Sequence, residues 1–133
     1  MFPKILLVDD NHDSLDILEL ILYKEFNIMT AMNGFEGLKI AQEEKPSLVI
    51  TDIMMPVMDG IRFFNRLRKS DSINNVPIIA ITAFQGKISR KSLMNMGFNE
   101  VISKPFDFEK TRNTILFVLK KSPGSADRLT GTE

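Results

Sequence analysis

Apolar residues along this chain alternate between two arrangements. In one they form short continuous runs, the pattern of strands buried on both faces. In the other they recur every three or four positions, the pattern of one helix face. Residues 4–8 read as a first strand. Asn11 then suits the N-cap of a helix reaching about residue 25, with Leu15, Leu18, Ile21 and Leu22 on one face. Residues 27–32 read as a second, more polar strand suited to a sheet edge. Asn33, with Glu36 three positions later, resembles a capping box opening a helix to residue 44, and Pro46 ends that helix.

A third strand is expected over 47–52, followed by a loop in which Pro56 and Asp59-Gly60 are turn signals. A third helix, from 60 to about 69, directs Phe63, Phe64 and Leu67 to the core. A fourth strand covers 76–82. A weaker helical pattern runs over 86–96 to Gly97, a favourable residue just past a helix end. The fifth strand is 101–103, and Asp107 can cap a last helix carrying Ile115, Leu116 and Leu119. Strands alternating with helices predict an α/β fold: a single doubly wound five-stranded parallel sheet, helices on both faces, right-handed crossovers. Beyond residue 121 the apolar periodicity gives way to Ser-Pro-Gly-Ser-Ala-Asp. Residues 1–121 are therefore expected to form one domain, and 122–133 a flexible C-terminal tail or a linker cut short.

The 133 residues suffice for one domain with a core, and 44% hydrophobic with 26% charged residues is ordinary for a globular protein. The absence of cysteine excludes disulfides and thiolate metal sites. No apolar run is long enough to cross a bilayer, and the first residues do not resemble a signal peptide, so the expected location is cytoplasmic. The net charge of zero conceals a split. Residues 1–60 hold four Lys/Arg against eleven Asp/Glu, a balance of −7; residues 61–133 hold thirteen against six, a balance of +7. The split reads either as helices solvated with different charges or as an acidic pocket beside a basic partner-binding face.

What closes each strand changes the picture most. Asp9 and Asp10 follow the first, Asp52 closes the third, Thr82 the fourth, and Lys104 follows the fifth. In an open parallel sheet these ends share one edge, where ligands bind. Three carboxylates, a hydroxyl and an ammonium should meet there. Carboxylates so close disfavour one another's ionisation unless a cation offsets them. Mg²⁺ suits such an oxygen-rich site and prefers to bind together with a phosphoryl group. Asp52 is the candidate nucleophile, able to form an aspartyl phosphate. Asp10 and Asp52 would hold the metal, Asp9 a metal-bound water, and Lys104 and Thr82 the peripheral phosphoryl oxygens. Taken singly, each residue has a blander reading: a turn-forming Asp, a β-forming Thr, a solvated Lys. All five at strand ends form a much rarer coincidence.

The ordered set Asp9-Asp10, Asp52, Thr82 and Lys104-Pro105 resembles the receiver domain of bacterial two-component response regulators. Asp52-Ile-Met-Met-Pro56, Met58-Asp59-Gly60, Ile81-Thr82-Ala83 and Lys104-Pro105-Phe106 support it, over residues 4 to about 121. The resemblance implies a flavodoxin-like strand order 2-1-3-4-5. It implies a phosphoryl group received on Asp52 from a histidine kinase or a histidine phosphotransfer protein. The backbone carbonyl of Met54 would complete the Mg²⁺ site formed with Asp9, Asp10 and Asp52, and Mn²⁺ could substitute. Thr82 and Lys104 would read the phosphoryl group, and Lys104–Pro105 would be a cis peptide. The face built from the fourth helix, fifth strand and fifth helix would engage a downstream protein partner or effector domain. Such a domain catalyses only its own phosphotransfer and dephosphorylation, binds neither nucleic acid nor membrane directly, and is a monomer or a phosphorylation-dependent homodimer.

One position departs from that pattern. Receivers often carry an aromatic switch residue three positions before the lysine, and here it is Val101, whose stiff χ1 forbids an aromatic swing. Phe84 is the alternative reporter, or simply a loop aromatic packed on the next helix. His12, the single histidine, reads as an exposed first-turn residue, with tuning of the acidic pocket or phosphorelay as the alternatives. Met54, Met55 and Met58 read either as a shield over the phosphoryl site or as loop gap-fillers. Three other functions compete. A phosphohydrolase would carry a second Asp where Met54 stands. A flavin carrier would need a phosphate cradle, whereas Asn11-His12-Asp13-Ser14 is acidic. A receiver-like module that no longer uses phosphate would not need the acidic set.

Overall fold

The computed structural model describes residues 2–83 and 88–121. The elements alternate as β1 (Lys4–Val8), α1 (His12–Leu22), β2 (Asn27–Ala31), α2 (Gly34–Glu44), β3 (Leu48–Asp52), α3 (Gly60–Arg68), β4 (Ile78–Thr82), α4 (Arg90–Met96), β5 (Glu100–Ser103) and α5 (Phe108–Lys121). All strand pairs are parallel, in the order β2-β1-β3-β4-β5, so the expected sheet and its flavodoxin-like winding are borne out. Alternation along each strand divides the apolar runs between two cores. Leu6, Val8, Val49, Ile78 and Ala80 face a core closed by Ala41 of α2, Phe63 and Leu67 of α3 and Leu93 of α4. Ile5, Leu7, Leu48, Ile50, Ile79 and Ile81 face a core closed by Leu15 and Leu18 of α1 and Ile115 and Leu119 of α5. Each such side chain removed from water contributes roughly 1.5–3 kcal/mol. The central strands are thereby fixed from both sides.

The helix starts follow their caps. Asn11 Oδ1 accepts from the Ser14 amide at 3.0 Å, Asn33 Oδ1 from Glu36 at 2.9 Å, Asp59 Oδ1 from Arg62 at 2.8 Å, and Asp107 Oδ1 from Lys110 at 2.8 Å. The Glu36 carboxylate reaches the Met32 amide rather than that of Asn33, so the expected capping box is one residue wider. Several boundaries differ from expectation. α1 stops at Leu22, short of residue 25, because Phe26 must turn back into the core and Glu25 is held by the Arg112 guanidinium at 2.6–2.8 Å. β4 begins at Ile78, since the Val76 carbonyl is taken by Arg68 and Pro77 has no N–H. α4 begins only at Arg90, where Ser89 Oγ accepts from the Ser92 amide at 3.1 Å. The first two residues of the longer helix expected there, 86–87, lie outside the described residues, as does the tail expected over 122–133. Gly97 ends α4 at φ 115°, a left-handed conformation that glycine adopts without strain. No described helix is long and apolar enough to cross a membrane.

Candidate functional site

Three strand ends carry the charged residues to one mouth. Asp9 follows β1 and is fully buried; its Oδ1 accepts from the Asn11 amide at 3.0 Å. Asp52 ends β3, with Oδ1 accepting from the Met54 amide at 3.2 Å. Lys104 follows β5 and bridges them, Nζ lying 3.1 Å from Asp9 Oδ2 and 3.4 Å from Asp52 Oδ2. Asp10 is exposed at the rim, and one oxygen from each of Asp9, Asp10 and Asp52 falls within 4.8 Å of the others. Thr82 ends β4, half-buried and opposite Ser103, and its carbonyl accepts from the Lys104 amide at 2.8 Å. The five strand-end residues expected to converge therefore lie along one sheet edge. The peptide between Lys104 and Pro105 is cis, as expected.

The loop after Asp52 is held by features the sequence analysis did not single out. The Gly60 amide donates to the Ile53 carbonyl at 2.9 Å. A Cβ on Gly60 would lie 2.2 Å from the Asp52 carbonyl oxygen, so only glycine lets α3 start this close to the end of β3. The Asp59-Gly60 turn signal marked the place but not this role. Val57 sits at φ 70°, and the Met58 amide reaches back to the Pro56 carbonyl at 2.7 Å, closing a γ-turn. A β-branched residue there stores roughly 1–3 kcal/mol of strain. No residue type in the sequence could have signalled it.

The electrostatics follow from the geometry. Burial pushes the Asp52 carboxyl up from 3.8 to about 6, reinforced by repulsion from Asp9 and opposed by Lys104 and the Met54 amide. Burial would lower the Lys104 ammonium, but Asp9 and Asp52 more than offset it and hold it above its usual value. Asp9 Oδ2 is buried with no hydrogen-bond partner, since Lys104 stands at ion-pair distance without hydrogen-bond alignment. Three carboxylates with oxygens within 4.8 Å of one another, offset by a single ammonium, fit a hard divalent cation. Such an ion would rest on Asp10, Asp52 and the Met54 carbonyl, with Asp9 behind.

The remaining candidates are more scattered. The Met54 side chain is 74% exposed. Val101 is half-buried beside a cavity of about 520 Å³ that Arg90, Ser103, Lys110 and Thr114 also line. Phe84 lies outside the described residues. His12 is the exposed first residue of α1, in line with its blander reading. On the basic side, Arg90 is already paired with Glu100 at 2.6 Å, and that carboxylate also accepts from the Val101 amide at 3.0 Å. Neither Arg90–Glu100 nor Arg112–Glu25 was legible in the sequence, because both partners are distant along the chain.

Residues 5–116 match the family model of the response regulator receiver domain. An uncharacterized 14.6 kDa protein in the sodA1 3′ region of Leptolyngbya boryana is 38% identical over 104 residues, 77% of this chain and 79% of that protein. The alkaline phosphatase synthesis transcriptional regulatory protein PhoP of Bacillus subtilis is 31% identical over 123 residues, covering 92% of this chain but 50% of its own length. The chain thus spans about half of that regulator. Among solved structures, a response regulator from Desulfuromonas acetoxidans superposes with a TM-score of 0.81 at 31% identity, over 90% of this chain and 98% of that one. The chain belongs to the response regulator receiver domain family.

Proposed function

We propose that this receiver is a phosphorylation-controlled signalling switch, with Asp52 as phosphoacceptor and residues 1–121 as the working unit. An Asp52 carboxylate oxygen forms the bond to phosphorus as the phosphorus–nitrogen bond of a phosphohistidine donor breaks, and the imidazole leaves with the electron pair. The donor is a histidine kinase or histidine phosphotransfer protein. A Mg²⁺ ion, or Mn²⁺ in its place, supplies positive charge against the peripheral oxygens of the transferring group. Asp10, Asp52 and the Met54 carbonyl would hold such an ion, with Asp9 placed to orient water at the site. Lys104 and the Thr82 hydroxyl bind two phosphoryl oxygens. The single observation that carries this reading is the meeting of Asp9, Asp10 and Asp52 oxygens within 4.8 Å, with the Lys104 ammonium on two of them.

The signal leaves through the face of α4, β5 and α5 toward a protein partner or effector domain. Val101 cannot swing, so the segment 83–96 after Thr82 carries the change, with Phe84 as reporter. The domain turns over no external substrate, binds neither nucleic acid nor membrane itself, works in the cytoplasm, and is a monomer or a phosphorylation-dependent dimer. The test is incubation with a small acyl phosphate and Mg²⁺, followed by mass measurement. One phosphoryl group should appear on the parent and not on Asp52→Asn. Equal labelling of both would remove Asp52 from its role.

A further inference from the structure

The charge split along the sequence has a counterpart on two helices. α1 exposes Asp13, Asp16 and Glu19, and α3 exposes Arg62, Arg66 and Lys69. The ion pairs among the described residues join Lys4 to Glu44, Arg90 to Glu100, Lys104 to Asp9 and Asp52, and Arg112 to Glu25. None of them uses these six side chains. Asp59, the acid nearest to Arg62 along the chain, accepts from the Arg62 amide as the cap of α3.

Helix stability does not account for this pattern. Negative charge suits the start of a helix and positive charge its end. Asp13 and Arg66 fit that rule, in the first turn of α1 and the last turn of α3. Glu19 and Arg62 break it, because Glu19 lies in the last turn of α1 and Arg62 in the first turn of α3. Each faces the like partial charge of its own helix end. Local rules broken in this way mark functional surfaces.

The two rows match in length and order. At about 1.5 Å rise per residue, Asp13 to Glu19 spans about 9 Å and Arg62 to Lys69 about 10.5 Å. Laid antiparallel, they set Glu19 against Arg62, Asp16 against Arg66 and Asp13 against Lys69. That arrangement also places the negative end of each helix beside the positive end of the other. Leu20, 63% exposed on the same helix as the acids, offers apolar surface to the aliphatic stems of the arginines. Within one molecule the rows cannot meet. α1 packs with α5 on one face of the sheet, and α3 with α2 and α4 on the other.

We propose that α3 of one copy docks antiparallel on α1 of a second copy through these three charge pairs. Each copy carries both rows, so the contact is heterologous and repeats as an open row. Exposed ion pairs contribute little singly, so dilute protein stays monomeric and the row forms where the chain is concentrated. The contact needs neither phosphate nor metal and stands apart from the proposed switch.

Sedimentation equilibrium of the full chain over a wide concentration range reads the association. It is run at about 0.01 M salt, where the screening length is about 30 Å, and at about 1 M, where it is about 3 Å. At low salt the average mass should rise with concentration past that of two chains, and at high salt it should stay at that of one. Arg66→Glu and Asp16→Arg each turn an attractive pair repulsive and should each weaken the association several-fold. Both changes in one chain reverse the pair and should restore it. Arg66→Glu combined with Glu109→Arg, at the start of α5 and outside both rows, also returns the net charge to zero but should stay weak. A parent that stays monomeric at low salt, a mass that levels off at two chains, or association that persists at high salt overturns the inference. So does a single variant that associates like the parent, a reversed pair that fails to recover, or recovery with Glu109→Arg, which would reduce the effect to net charge.

Discussion

Asp52→Asn should stabilise the protein when divalent metal is removed, although it deletes the residue on which the proposed chemistry depends. In the native protein the Asp52 carboxyl ionises at about 6, against 3.8 ordinarily, first because it is buried and then because Asp9 repels its charge. Between those values the native protein binds more protons at this site than the unfolded chain does. Stability therefore falls as pH rises through the window from 3.8 to 6, and the deficit is fully present above it. Full conversion of that displacement gives about 3 kcal/mol. The mouth is open to solvent on one side, which screens the charge, so about 1–2 kcal/mol is the realistic expectation. Asparagine keeps the shape and an acceptor for the Met54 amide, and leaves the Lys104–Asp9 pair in place. Urea unfolding in excess chelator at pH 4 and pH 7 reads the difference. The variant should match the parent near pH 4 and exceed it at pH 7; added Mg²⁺ should then close the gap by stabilising the parent more. A parent more stable than the variant at pH 7 without metal, or a gap independent of pH, would refute the electrostatic account.

Two further substitutions probe the same mouth. Gly60→Ala places a Cβ 2.2 Å from the Asp52 carbonyl oxygen, and the strand end or the helix start must shift. A loss of about 1–3 kcal/mol in denaturant unfolding and weaker Mg²⁺ binding by calorimetry are expected; wild-type values on both would show that the close approach constrains nothing. Lys104→Met removes the cation from Asp9 Oδ2, a buried oxygen with no hydrogen bond. Thermal unfolding in chelator should show a loss of about 1–3 kcal/mol that Mg²⁺ partly restores, and a variant as stable as the parent would mean that Asp9 does not need the ammonium.

How much of this was legible in the chain depends on which forces act locally. Both-sided burial gives parallel strands continuous apolar runs, so Ile5-Leu6-Leu7-Val8 and Leu48-Val49-Ile50 announced themselves. Helix starts were legible where a side chain caps them, at Asn11, Asn33 and Asp107. The periodicity before Ser89 is weak, so the sequence pattern does not mark its cap, and α4 starts later than that pattern suggests. The convergence of Asp9, Asp10, Asp52, Thr82 and Lys104 was legible because parallel topology alone brings strand ends together. The difference in burial between the neighbouring carboxylates was not. Asp9 and Asp10 are neighbours of identical chemistry, yet one is fully buried on Lys104 and the other exposed, a difference set by tertiary packing. The positive φ of Val57 contradicts the preference of its own residue type, so sequence reasoning correctly fails there. Such failures concentrate at functional or strained sites.

The repulsion at the mouth persists because the strands that carry it cannot move. Asp9 and Asp52 extend from β1 and β3, whose Leu6, Val8, Val49 and Ile50 are fully buried, and Asp52 is further fixed by the Gly60 approach and the Val57 turn. Packed cores shift between discrete arrangements rather than yielding gradually. The carboxylates therefore relieve their repulsion by taking up protons or cations, not by separating. Among the described residues Lys104 is the cation paired with them, and it divides its charge between Asp9 and Asp52. On the proposed function, phosphorylation replaces the Asp52 carboxylate with a group of greater negative charge that extends further from the strand, and the balance at Lys104 tips away from Asp9. The Lys104 amide is bonded to the Thr82 carbonyl at 2.8 Å, so β4 and β5 meet the change together. A local redistribution of charge thereby reaches the two strands that flank α4, whose first residue is paired with Glu100 of β5 at 2.6 Å. Arg90 is the exposed partner of that pair while Leu93 is fully buried, so a shift of the strand ends is met at the start of α4 rather than at its core-packed middle.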